Sequence, residues 1–365
     1  MITLAFTGDL CLYGFKHAPA DEQQQAVRSV AAMLAPYDLA VINLECSLSE
    51  QALPDVKMNV PFDQCPSLAT LSTGVYCLAN NHVKDSGARA LDDMLQFIRQ
   101  SGADVVGAGH TLDQACQPLI KTIQGIRLAI VNVTDASHYA ATADEAGVAP
   151  LKAAKLLRQV RQLSQQVDAV IVVMHADLEF CHYPAPWRVR LSRRLAKYCK
   201  LVIHHHPHTI QGIEQRGDCV IAYSLGNFVF PVQESSYMQG RSAAIADALV
   251  LAVTLQRTDN GIKAAVKHTV IGQIGRWGFV AAADTATTAR VQQQLAEYSA
   301  ALQNSRFLRK QHAKRCLAEG RHVLFNTWYR LARGDIGRAW RYLSWHFKTD
   351  QHRNWLKGLF SFGWF

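Results

Sequence analysis

Seven short apolar runs rich in β-branched residues recur along the first 225 positions: 2–6, 39–44, 75–79, 127–133, 169–174, 200–204 and 220–225. Each has the length and composition of a strand. Stretches of helical periodicity lie between several of them. Ala26, Val30, Met33 and Leu34 share one face, and Leu91, Leu95 and Ile98 another. Leu156, Val160 and Leu163 form a third, and Val189, Leu195 and Tyr198 a less regular fourth. Strands alternating with helices predict an α/β layer fold whose sheet is largely buried. Beyond about residue 205 the pattern becomes one of consecutive strands. Turns are expected at Arg216-Gly217-Asp218 and at Asp259-Asn260-Gly261, where Asn-Gly separates two alternating runs.

Composition adds a boundary. With 49% hydrophobic and 18% charged residues among 365, the chain can bury a large core in one large or two ordinary domains. The formal charge of +9 is unevenly placed. Residues 306–365 carry 13 Lys/Arg against 3 Asp/Glu, and residues 1–305 carry 25 against 26. Five of the seven tryptophans also fall in the last stretch. The expected layout is therefore a near-neutral domain over 1–275 and a helical, basic, aromatic-rich extension over 276–365. Nine dispersed cysteines without a CxxC pair predict reduced thiols and a cytoplasmic setting. The opening residues lack the basic and apolar regions of a signal peptide, and no apolar run is long enough to span a membrane.

The candidate chemistry sits where strands stop. The first run ends in Gly8-Asp9, the second in Asn43-Leu44-Glu45, and the third in Asn80-Asn81-His82. The fifth ends in His175, and the sixth in His204-His205-His206-Pro207-His208. Open α/β sheets build sites at the carboxyl ends of their strands. Asp, Glu, Asn and His delivered to one edge would form an N/O cage suited to Mn, Fe or Zn. Singly, each residue has a plainer reading. Asp9 fits a turn, Asn80-Asn81 a loop, and His175 a hydrogen-bonded core histidine. Asp85, before Ser86-Gly87 and a helical pattern, fits a helix N-cap. The shared order at five strand ends is what favours a metal site.

These elements, with Asp85 and Gly87, Gly107-Ala108-Gly109, Glu179, Gln211-Gly212 and Tyr223-Ser224-Leu225-Gly226-Asn227-Phe228, resemble the capsule and poly-γ-glutamate synthesis CapA family. That family is similar to the calcineurin-like metallophosphoesterases. The resemblance covers about residues 2–232. It implies a four-layer α/β/β/α sandwich with a dinuclear metal site, the later strands forming the second sheet. It also implies roles. Glu45 would bridge two divalent ions, with Asn81, His175 and His206 completing one shell and Asp9 and His208 the other. His82 would steady the transition state or protonate the leaving group. Cys11, Asp85, Glu179, Ser224 and Asn227 would stand behind the ligands or touch substrate. Paired cations activate water and offset charge on a phosphoryl or acyl oxygen.

The pattern departs from the phosphoesterases in two places. Cys11 stands where they carry a second histidine, and Ala176-Asp177-Leu178 replaces the usual Trp-Gly before Glu179. The implied function is a metal-dependent hydrolase acting on a phosphorylated or polymer-related substrate in surface-polymer synthesis. The alternative is a non-catalytic assembly factor at the inner membrane face. The tail also reads two ways. Ile336, Trp340, Leu343 and Phe347, flanked by Arg333, Arg338, Arg341 and Lys348, fit an amphipathic helix on an anionic membrane, as do Leu324, Trp328 and Leu331. They equally fit a helical appendage packed on the body or on another subunit. No nucleic-acid-binding module accompanies the charge.

Overall fold

The computed structural model describes residues 1–348 apart from 52, 54, 55, 57, 72, 73 and 240, together with 354, 356 and 358. Fourteen strands and seven longer helices carry the architecture. The strands are β1 (Ile2–Leu10), β2 (Leu39–Leu44), β3 (Val75–Cys77), β4 (Asp104–Val106), β5 (Leu119–Ile123), β6 (Ile126–Thr134) and β7 (Ala169–His175). They continue with β8 (Leu201–His205), β9 (Ile213–Arg216), β10 (Cys219–Ala222), β11 (Asn227–Val229), β12 (Asp247–Thr258), β13 (Gly261–Ile274) and β14 (Val280–Ala282). The helices are α1 (Ala20–Leu34), α2 (Ala88–Gln100), α3 (Ala153–Leu163), α4 (Pro186–Leu195), α5 (Thr285–Ala301), α6 (Ser305–Ala332) and α7 (Ile336–Lys348).

Two sheets result. The first runs β14-β13-β12-β11-β1-β2-β3-β4 and the second β9-β10-β8-β7-β6-β5. Side chains alternate along each strand, so every buried strand feeds two cores. Ile2, Leu4 and Phe6 of β1 meet Leu128, Ile171, Val173, Leu201 and Ile203 of the second sheet in a core between the sheets. The other face of the first sheet, with Ala5, Ala40 and Ile42, packs on Val30 of α1 and Leu91, Leu95 and Ile98 of α2. The other face of the second sheet packs on Leu156 and Val160 of α3 and Val189 and Leu195 of α4. Stacked in this way, the layers are α/β/β/α, as expected.

One detail of the expectation is corrected. The later strands do not form the second sheet by themselves. β9 and β10 join it, but β12 runs antiparallel to β1, Ile2 facing Leu255 and Phe6 facing Leu251, and extends the first sheet. Strand β1 offers two edges, and the long β12–β13 hairpin, closed at Thr258/Gly261, fills the one that β2 leaves open. Strand β14 lies beyond residue 275 and pairs with β13.

The tail packs partly on the body. Helix α6 buries Leu308, Ala313, Cys316 and Val323, and Cys316 and Val323 pack against Leu178 in the loop after β7. The opposite side of α6 and much of α7 are exposed. The aromatic run at Trp355 and 359–365 lies outside the described residues. Among the described residues no helix is long and apolar enough to cross a membrane. All nine cysteines are free thiols.

Candidate metal centre

Parallel pairing of β1 with β2, and of β7 with β8, brings the carboxyl ends of both sheets to one edge. Asp9, Glu45, His175, His206 and His208 are all buried there. Several backbone features aim them. The β1–β2 register shifts between Phe6 and Asp9, and the β1–β11 register shifts at Asp9/Leu10, irregularities of the kind that re-aim side chains beside sites. Beyond the ends of β7 and β8 the chain takes positive φ at four non-glycine residues: Asp177 (106°), Phe180 (56°), His206 (95°) and His208 (54°). Such strain persists only where packing over-determines it. Here Arg188, fully buried, donates to Asp177 Oδ2 at 2.8 Å, and Asp177 also accepts from the Ala185 amide.

The polyhistidine run divides by strand alternation. His204 turns outward, where its Nε2 pairs with the Ser192 hydroxyl at 2.8 Å and its Nδ1 accepts from Arg188 at 3.2 Å. His205 turns inward, its Nδ1 2.9 Å from Asp9 Oδ1. His206 and His208, beyond the strand, join the inner cluster.

The donor atoms crowd one another. His175 Nε2 is 2.7 Å from Asn81 Oδ1, 3.0 Å from His206 Nδ1 and 3.4 Å from Glu45 Oε1. On the other side, Asp9 Oδ2 lies 3.4 Å from His208 Nδ1, and His208 Nε2 lies 3.7 Å from Glu45 Oε1. A single imidazole N–H cannot serve three neighbours. Donors held about 2.0–2.2 Å from one cation, by contrast, stand about 3–3.5 Å apart. Both oxygens of Glu45 are buried without a hydrogen-bond partner, as is Asn43 Oδ1. Two compact ligand groups emerge among the described residues, Asp9-Glu45-His175 and Glu45-His206-His208, and Glu45 belongs to both. The donor set thus fits divalent cations with N/O ligands. The short contacts set His175 beside Asn81 and His206 and set Asp9 beside His208, while the compact groups also join Asp9 to His175 and His206 to His208; Glu45 is the common member.

The electrostatics reflect the same crowding of buried charges. Burial and then the Asp9 charge raise Glu45 to about 8. Asp9 itself is held well below the usual carboxylate range, because contacts with His205 and His208 outweigh the burial that opposes ionisation. Burial pushes His175 and His206 well below the ordinary imidazole value, leaving neutral rings. His208 is raised to about 10, Glu45 and Asp9 outweighing its burial.

The remaining expected residues take distinct places. Asn80 is the turn residue: its Oδ1 accepts from the His82 and Val83 amides, and its Nδ2 donates to Leu44 O. Asn81 is thereby presented to His175. His82 Nδ1 donates to Asp85 Oδ2 at 2.7 Å, while Tyr139 donates its hydroxyl to Asp85 Oδ1. Asp85 therefore does not cap α2, whose N-cap is Gly87. Asn227 faces His208 Nδ1 at 2.8 Å. Ser224 accepts from the Gly226 amide and shapes a turn. Glu179 accepts the Tyr237 hydroxyl. Cys11 belongs to neither ligand group and packs in the apolar cluster that also holds Cys46; burial and Cys46 push its thiol up. Two participants were not singled out from the sequence. Asn43 donates to Asp9 Oδ1 at 2.9 Å, and His205 contacts the same oxygen. Strand alternation, applied to His204-His205, separates the two histidines.

Beside the cluster opens a cavity of about 490 Å³, lined by Asn81, His82, Tyr139, Glu179, His208 and Tyr237 among others. A second, of about 800 Å³, meets His206 and Glu179 on one side and Arg315, His322, Arg341 and Tyr342 of α6 and α7 on the other.

Residues 3–232 match the family described as "Bacterial capsule synthesis protein PGA_cap". The chain is similar to the PGA biosynthesis protein CapA of Bacillus subtilis (strain 168), at 26% identity over 243 residues and 63% of each chain. It is also similar to the capsule biosynthesis protein CapA of Bacillus anthracis, at 30% identity over 160 residues, 42% of this chain and 39% of that one. The matches thus span less than two thirds of these relatives' lengths. Among solved structures, the calcineurin-like phosphoesterase YfkN from Bacillus subtilis aligns over 83% of this chain and 99% of its own, with 14% identity and a TM-score of 0.44.

Proposed function

The chain belongs to the bacterial capsule synthesis protein PGA_cap family, and from that premise we propose that it is a hydrolase with two divalent metal ions, cleaving a phosphoester or related bond in the synthesis of a surface polymer. The observation that carries the reading is Glu45, a buried carboxylate with no hydrogen-bond partner on either oxygen, standing between two sets of ligand atoms. Such a group is costly unless protonated or coordinated.

Asp9, Glu45, Asn81, His175, His206 and His208 would hold the ions. Bound there, divalent cations supply Lewis acidity and a water activated near neutral pH. The chain's own residues do the rest. Asn43 and His205 fix the Asp9 carboxylate, and Asn227 fixes the His208 ring, the outer contacts that orient ligands. His82 is the proton donor. With Nδ1 given to Asp85, its transferable proton sits on Nε2, and the Asp85 contact raises the ring above its ordinary value despite its burial. The cavity that His82 lines accepts the leaving group, and Glu179 and Tyr237 form its wall toward the second cavity.

The test is turnover of an aryl phosphate by protein reconstituted separately with Mn²⁺, Fe²⁺ and Zn²⁺. His82→Ala should retain its metal and lose about 10²–10⁴ in rate. Metal-loaded protein without turnover on phosphomonoesters or phosphodiesters would favour the assembly-factor reading.

A further inference from the structure

Helix α6 has a buried stripe and an exposed one. Cys316, Gly320 and Val323 are buried, while Leu317, Leu324, Trp328 and Leu331, at the same helical spacing, face outward beside Phe325 and Tyr329. Helix α7 repeats the arrangement: Ala339 and His346 turn in, and Ile336, Trp340 and Phe347 turn out. Leu324, Phe325, Trp328, Ile336 and Trp340 are each 61–70% exposed. The rest of the described chain exposes five large apolar side chains, scattered one at a time. Single exposed apolar residues need no explanation, but a cluster on two adjoining helices marks a surface that meets something.

The charge identifies the partner. Arg321, Arg330, Arg333, Arg338 and Arg341 share the α6–α7 hairpin with two carboxylates, Glu319 and Asp335, which are already engaged by Arg315 and Arg338. Arg330 stacks on Tyr342 and Arg333 on Tyr329, so the helices are tied together and their cations stand beside the aromatic rings. A second copy docked on this face by a two-fold axis would oppose arginine to arginine. The C-terminal segment, where described, lies on the other side of α6: Leu356 joins the Cys316 cluster, and Asn354 donates to Asp135. Aromatic and aliphatic stripes among arginines that outnumber the nearby carboxylates match the apolar boundary and phosphate headgroups of an anionic lipid surface.

We propose that the α6–α7 hairpin lies in the interface of an anionic membrane, with Phe325, Trp328, Ile336 and Trp340 inserted and the arginines at headgroup level. The proposal is independent of whether the metal centre turns over. Its geometric consequence is that Arg341 and Tyr342, which wall the second cavity, bring that cavity's mouth beside the headgroups.

The experiment is co-sedimentation of the full chain with phosphatidylglycerol/phosphatidylcholine vesicles and with pure phosphatidylcholine vesicles. Binding to the first and not the second is expected, with a remainder that resists high salt. The triple variant Phe325→Ser/Trp328→Ser/Trp340→Ser should partition at least about tenfold more weakly, as should Arg321→Glu/Arg333→Glu. Because these side chains are exposed, both variants should melt near the parent. Absence of binding by the parent overturns the proposal, as does full binding by the triple variant. A parent dimer that the triple variant dissociates would assign the face to a second copy. Binding abolished entirely by salt would reduce it to charge attraction alone.

Discussion

Replacing Gly8 by alanine should both destabilise the protein and empty its metal centre. A Cβ at position 8 would lie 2.4 Å from Gly226 O and 2.7 Å from the Asn227 carbonyl carbon and oxygen. The obstacle is backbone, so β1 and β11 must separate. Gly226 O is also the acceptor of the Asp9 amide at 2.9 Å, and Asn227 orients His208. Overpacking costs about 1–3 kcal/mol, and loss of a buried hydrogen bond adds about 1 kcal/mol. Together these lower the melting temperature on the order of 3–5 °C. Differential scanning calorimetry and elemental analysis read the two effects separately. Gly337→Ala is the control, because its Cβ meets nothing closer than the tip of Arg341 at 3.5 Å; it should leave both readings unchanged. A Gly8→Ala protein that melts within about 1 °C of the parent and keeps its metal would refute the close β1–β11 approach and the coupling of Asp9 to it.

Two other expectations follow from the same geometry. Cys11→His should not strengthen metal binding, because Cys11 packs in the apolar cluster that also holds Cys46; the larger ring should cost about 1–3 kcal/mol in a thermal melt. In chelator-treated protein, stability should fall as pH rises from 4.5 toward about 8, since folded Glu45 stays protonated where the unfolded chain has ionised. The raised His208, whose folded-state proton is retained above 6.5, gives a fall of the same sign from there toward about 10. Glu45→Gln should flatten the lower part of that slope in urea titrations at several pH values.

Much of this architecture was legible in the chain because strands buried on both faces leave continuous apolar runs, and β1, β2, β6, β7 and β8 all do. Their ends could be read because ligand types follow them immediately. Sheet membership could not. Nothing local in β12 distinguishes pairing with β1 from pairing with β10; the edge that β1 leaves open decides it. The same limit explains Asp85, whose side chain suits an N-cap until Tyr139, 54 residues later, and His82 arrive as partners. Asn43 and His205 were hidden for a related reason. Each acts on Asp9, a strand neighbour in the first case and the opposite sheet in the second. The tail was ambiguous in sequence because it is double-sided: α6 packs one stripe on the body and turns the other outward.

The most direct test of the account is the metal content of protein purified without chelator, determined by inductively coupled plasma mass spectrometry for the parent and for Glu45→Ala. Glu45 stands in both ligand groups, so the account predicts two divalent ions per parent chain and none retained by the variant. A parent chain without bound metal, or a Glu45→Ala chain that keeps full occupancy, would contradict it.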